Sequence, residues 1–225
     1  MDDVERIYNE GKLLVRAMDQ PGLRRNQMGY YYECQSWTDE FISLMNDGLF
    51  SLSTTLIIPN VGILTYKNIG FLINSDWAEC YHIAKSDSGS SGSVLNGDFR
   101  ANKADYETIE ELANYIKTSN DKMMNEVNVN VKLDGVVGLF INKSNNMDYL
   151  LDKIYVAKIL LKAITGIDYS IYCYDWSIGK LDLIELSKEK EEMIINSLKG
   201  NQIKCWPDDD DKPFYIPIEP TEYIK

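Results

Sequence analysis

The clearest hydrophobic period in this chain is two. Within residues 124–143, Val127, Val129 and Val131 alternate with Asn128, Asn130 and Lys132, a pattern that buries one face of a β-strand and wets the other. Asp134-Gly135 then offers a short turn in which a positive φ costs little. Residues 136–141 are apolar at nearly every position, as in a central strand covered on both faces. The pattern predicts a hairpin, with Glu126 at the start of its first strand, where a carboxylate can be held rigidly beside a cleft.

The other elements follow from the same reading. Residues 2–18 read as a helix, with Asp2 and Asp3 favouring its N-terminus and Val4, Ile7 and Tyr8 on one face. Gly11 weakens it midway and leaves Leu13, Leu14 and Val15 open to strand. Pro21-Gly22 punctuates the chain, with Arg24 and Arg25 on that loop. A helix fits residues 37–45, with Ser36 as N-cap and Asn46-Asp47-Gly48 as its stop. Residues 50–58, 62–66, 69–73 and 79–84 are short apolar or β-branched runs and predict strands. Residues 86–98, SDSGSSGSVLNGD, predict an exposed loop; they lack the lysine-ended or GxGxxG spacing of a phosphate cradle. Amphipathic spacing predicts a helix over 106–116, and the longest helix, apolar on more than one side, covers 147–164 and stops at Thr165-Gly166. A second hairpin spans 169–174 and 180–186, and Ser187 caps a charged helix that runs to about residue 198. Residues 207–225, rich in proline and aspartate, predict an extended tail. With no internal repeat and no boundary, residues 1–225 read as a single α+β domain. Its sheet is mixed or mainly antiparallel, of about six to eight strands, with flanking helices.

Composition narrows the function classes. The chain of 225 residues carries 35 acidic against 23 basic side chains, a net charge of −12. No cluster of lysine and arginine stands out, so nucleic-acid binding is not expected. An acidic surface suits solubility or a basic protein partner. Fifteen tyrosines supply core and sheet residues, and some could form an aromatic contact surface. The four cysteines form no CxxC pair, and with one histidine, His82, a zinc site is not expected. Reduced thiols suit a reducing compartment. No apolar run is long enough to span a membrane, and the start MDDVERIYNEG lacks a signal-peptide pattern. The expected location is cytoplasmic, or a host or target cell reached without a classical signal peptide.

Three constellations could carry function. The first is Arg16, the run Ser53-Thr54-Thr55 and Glu126, in that order. A guanidinium can hold a pyrophosphate, a strand-borne hydroxyl can fix the geometry around a ribose, and a carboxylate can stabilise the positive charge that develops as a glycosidic bond breaks. The pieces FSLSTT (50–55) and MNEVNV (124–129), with Arg16, resemble the arginine, Ser-Thr-Ser and glutamate elements of the mono-ADP-ribosyltransferase family, over about a dozen residues. The resemblance implies a split, mixed β-sandwich with flanking helices, NAD as substrate, and a bacterial effector or toxin-like enzyme acting on a macromolecular target. It implies Glu126 as the catalytic residue, with Arg16, Ser53 and Thr54 binding NAD. Arginine-directed members carry Glu or Gln two residues before the catalytic glutamate, whereas this chain has Met124.

The second constellation is a thiol nucleophile. Cys34 precedes a predicted helix start, where the dipole lowers a thiol pKa, and a pairing with His82 oriented by Asp87 would suit a cysteine hydrolase or deamidase. Cys80 and His82, two apart on one strand, are expected to share a face. The third involves no catalysis: acidic charge and many tyrosines fit an immunity or inhibitor protein that neutralises a basic toxin.

Overall fold

The computed structural model describes residues 3–27, 29–46, 50–86, 104–119, 122, 124–205 and 213–218. The expectations placed on Asp87, on the rest of the glycine- and serine-rich loop and on the aspartate run at 208–211 lie outside the described residues. In chain order the elements are α1 (Asp3–Asn9), β1 (Leu13–Met18), β2 (Gly22–Asn26), β3 (Gly29–Glu33), α2 (Gln35–Met45), β4 (Phe50–Ile57), β5 (Ile69–Asn74), β6 (Ala78–Ala84) and α3 (Ile109–Ser119). Then follow β7 (Glu126–Val131), β8 (Val136–Asn142), α4 (Met147–Thr165), β9 (Ile171–Asp175), β10 (Lys180–Leu183), α5 (Lys188–Leu198), β11 (Gln202–Cys205) and β12 (Phe214–Pro217).

The fold is α+β, with two mixed, mainly antiparallel sheets. The larger has the order β10-β9-β8-β5-β1-β4-β7-β6 and the smaller β12-β11-β3-β2. Among the described residues only β8 with β9 and β3 with β11 run parallel. One hydrophobic core joins both sheets and includes Leu14, Phe71 and Val129 from the first and Tyr32 and Ile203 from the second. Helices α2 and α4 lie between them. Phe41 and Trp37 of α2 meet Phe71 of β5 with ring centroids 5.0 and 6.3 Å apart, α4 packs on β5 and β8, and α2 reaches β11. Among the described residues no helix is long and apolar enough to cross a membrane.

Several expectations need correction. The valine ribbon is a strand, with Val127, Val129 and Val131 fully buried, but β7 and β8 are not a hairpin. β7 pairs with β4 and β6, whereas β8 pairs with β5 and β9. A 3-10 turn, Leu133–Gly135, carries the chain across the sheet, and Gly135 has no positive φ. Its use is steric: a Cβ there would lie 2.5 Å from Val131 Cγ2. Residues 62–66 form no strand because their hydrogen bonds go elsewhere. Ile63 N–H donates to Tyr174 Oη at 2.9 Å, and Leu64 N–H donates to Lys122 O at 3.2 Å. Arg24 and Arg25 lie on β2 rather than in a loop, paired with Tyr31 and Tyr30 of β3. Helix α2 begins at Gln35, with Cys34 as its N-cap and Ser36 inside it. The large sheet has eight strands, within the six to eight expected; the second sheet, of four strands, is the addition.

Elsewhere local chemistry and structure agree. Leu13–Met18 is strand, Gly166 ends α4 in the left-handed conformation at φ +75°, and Ser187 caps α5 by accepting from Lys190 N–H. Thr108 and Glu111 cap α3 reciprocally, Thr108 Oγ1 accepting from Glu111 N–H while the Glu111 carboxylate accepts from Thr108 N–H.

Candidate functional site

Arg16, Ser53 and Glu126 come from β1, β4 and β7, which are neighbours in the sheet though far apart in sequence. β1 and β4 pair only from Leu13↔Ile57 to Val15↔Thr55. Beyond that point β1 continues along β5, and β4 continues along β7. The large sheet is therefore split where Arg16 follows Val15. Facing residues of an antiparallel pair project on the same side, so Arg16, opposite Phe71, belongs to the α2 side. Ser53, opposite Asn128, belongs with Glu126 on the other side. The guanidinium reaches across the gap, and its Nη1 donates to the Ser53 carbonyl oxygen at 3.1 Å.

The three residues line one cavity of about 160 Å³ together with Ala17, Thr54, Thr55, Tyr66, Met124 and Asn125. Ser53 Oγ donates to Glu126 Oε1 at 3.0 Å. Glu126 is 8% exposed, so its carboxylate is held by a hydroxyl in a largely dry wall. Thr54 lines the cavity, but its hydroxyl donates to Val127 O at 2.6 Å and ties β4 to β7. It acts on the site through the backbone.

Two residues that the sequence reading did not select complete the arrangement. Glu40 of α2 takes Arg16 in its carboxylate: Nε donates to Oε1 and Oε2 at 3.1 Å each, and Nη2 donates to Oε1. A guanidinium has five N–H donors, so one on Nη1 and one on Nη2 remain uncommitted among the described residues. The signal for Glu40 was present. Trp37, Phe41 and Leu44 make the buried stripe of α2, and a carboxylate set in that stripe needs a partner. Asn125 extends the ladder before Glu126: its Oδ1 accepts from Leu56 N–H at 2.8 Å and its Nδ2 donates to Leu56 O at 2.9 Å. Nothing in its local sequence marks that role, because Leu56 lies 69 residues away.

A larger cavity of about 370 Å³ lies around the β9–β10 hairpin, lined by Lys143, Cys173, Asp175, Lys180 and Asp182 among others. Its charges already pair with one another, Lys143 with Asp175 at 2.6 Å and Lys180 with Asp182 at 2.7 Å. Asp175 is accordingly held down at about 2, chiefly by the hydrogen bond from Lys143.

The thiol constellation is not assembled. Cys34 is buried at the N-cap of α2, and burial pushes its thiol well up, so desolvation outweighs the helix dipole. Burial also pushes Cys80 up to about 11. A bulge at Tyr81 sets Cys80 opposite Val129 and His82 opposite Asn128, so the two project to opposite faces. Among the described residues no group of three His, Cys, Asp or Glu side chains is placed to hold a metal ion. No protein-family model matches the chain, and no curated protein matches it.

Proposed function

We propose that this protein transfers ADP-ribose from NAD to a macromolecular acceptor, in the manner of a toxin-like bacterial effector. One observation carries the reading: Arg16, Ser53 and Glu126 converge from three strands on one cavity, with the Ser53 hydroxyl bonded to the Glu126 carboxylate. NAD supplies the ribosyl carbon whose bond to nicotinamide breaks. Nicotinamide leaves with the bonding electron pair, and the acceptor nucleophile bonds to that carbon and gives up a proton. Glu126 faces the positive charge that develops between these events. Because Ser53 already orients it, little reorganisation is needed. The uncommitted N–H groups of Arg16 address the diphosphate. The cavity is smaller than the roughly 300–1,000 Å³ of most ligand clefts, so it takes the nicotinamide-ribose end while the adenosine end lies beyond the rim. Met124, where arginine-directed enzymes carry an acidic or amide side chain, points to an acceptor other than arginine.

The test is incubation with adenylate-labelled NAD and a cell lysate. The native protein should label a macromolecule, and Glu126→Gln, with an unchanged melting temperature, should lose about 100-fold or more of the rate. Equal labelling by the variant would overturn the assignment. A second reading draws on Trp77, 62% exposed in the turn that precedes edge strand β6, and Tyr81, 52% exposed on that strand, in a chain of net charge −12. These features fit an acidic immunity protein on a basic toxin. Neutralisation that survives Glu126→Ala and Arg16→Ala would favour it.

A further inference from the structure

Glu40 has no part in the chemistry just described, yet it makes the most extensive contact of any side chain with Arg16. Its carboxylate is only 11% exposed, on a helix stripe otherwise formed by Trp37, Phe41 and Leu44. A charge in that setting is costly unless it is paired and hydrogen-bonded. Both of its oxygens are engaged by the Arg16 fork, which fixes the plane of the guanidinium as a single contact would not. The third hold comes from β4, through the Ser53 carbonyl oxygen. Arg16 thus bridges the gap in the sheet between the helix carboxylate and the strand that carries Ser53.

We propose that Glu40 is a positioning residue acting through Arg16: it locks the guanidinium in the split between β1 and β4, so that the two uncommitted N–H groups are presented as a fixed donor pair to the substrate diphosphate. The proposal rests on the ADP-ribosyl reading. An unrestrained arginine loses side-chain freedom when it grips an anion, and a clamped one has already lost it. Glu40 also offsets the Arg16 charge, so the wall attracts anions by directed hydrogen bonds more than by net charge.

The experiment compares Glu40→Gln and Glu40→Asp with the native protein, using two competitive inhibitors of NAD turnover. ADP-ribose carries the diphosphate and nicotinamide does not. In Glu40→Gln the KM for NAD and the Ki for ADP-ribose should rise about tenfold, while the Ki for nicotinamide stays within about twofold. Glu40→Asp, which keeps the charge, should recover part of the loss. Equal weakening of both inhibitors, or of neither, would overturn the proposal. The clamp has a readout independent of turnover, the hydrogen exchange of Arg16 Nε–H by NMR. That exchange should be slow in the native protein and fast in Glu40→Gln. Equal exchange rates would overturn the clamp even if NAD is turned over. Lost protection in the variant, in a protein that binds neither inhibitor, would support the clamp but overturn the ADP-ribosyl reading and the diphosphate role with it.

Discussion

At the scale of the residue, the site depends on side chains that replace missing backbone contacts. Asn125 is 2% exposed and uses both ends of its amide on Leu56, doing with a side chain what the next rung of the β4–β7 ladder would do with backbone. Asn125→Ala would leave the Leu56 N–H and C=O buried without partners. The expected loss is about 2–4 kcal/mol in urea unfolding, since each orphaned group costs roughly 1–3 kcal/mol. On the proposed ADP-ribosyl function, turnover should fall as well, because Glu126 is the adjacent residue. A loss under about 0.5 kcal/mol would show that water replaces the amide without penalty. Cys34 teaches the complementary lesson. A helix N-terminus favours thiolate, yet complete burial decides its protonation, and burial is not legible from the two residues on either side.

At the scale of the element, the clearest misreading was the segment 62–66, whose composition is that of a strand. Its neighbour is the β9–β10 turn. Tyr8 Oη donates to Gly179 O at 2.8 Å, Tyr174 Oη donates to Val61 O at 3.2 Å, and a Cβ on Gly62 would lie 1.8 Å from the Trp176 carbonyl oxygen. Within the segment itself, the N–H groups of Ile63 and Leu64, which a ladder would otherwise use, donate to Tyr174 Oη and Lys122 O. Two glycine substitutions separate the causes. Gly62→Ala should cost more than about 3 kcal/mol, because backbone must move. Gly166→Ala, at φ +75° with nothing near its missing Cβ, should cost only about 1 kcal/mol of left-handed strain. Similar losses for the two, measured by thermal unfolding, would contradict the close approach at Gly62.

At the scale of the whole molecule, the sheet order places β5, β1 and β4 at the centre of the large sheet, with β10 and β6 at its edges. Amide exchange should therefore be slowest in Leu13–Val15, Phe71–Ile73 and Leu56–Ile57, and fastest in β10 and β2. Protection of β2 equal to that of β1 would mean that the edge of the small sheet is covered in solution. The elements themselves were largely written in the chain. The period of two in β7, the apolar run of β8, the long apolar α4 and the Ser187 cap each arise from interactions within a few residues, and each stands where the pattern put it. Partner choice was not written there. Asp134-Gly135 is a turn on any local criterion, but whether it joins paired strands depends on which edges are free when the sheet closes, and β4 and β5 had the better claim on β7 and β8. The same holds for the candidate site. Arg16, Ser53 and Glu126 were legible as residue types suited to one chemistry, whereas the split that lets a guanidinium pass between β1 and β4, and the helix carboxylate that holds it there, exist only once the sheet and α2 have packed. Local sequence sets what each segment prefers to be; long-range burial and hydrogen bonding decide which segments meet.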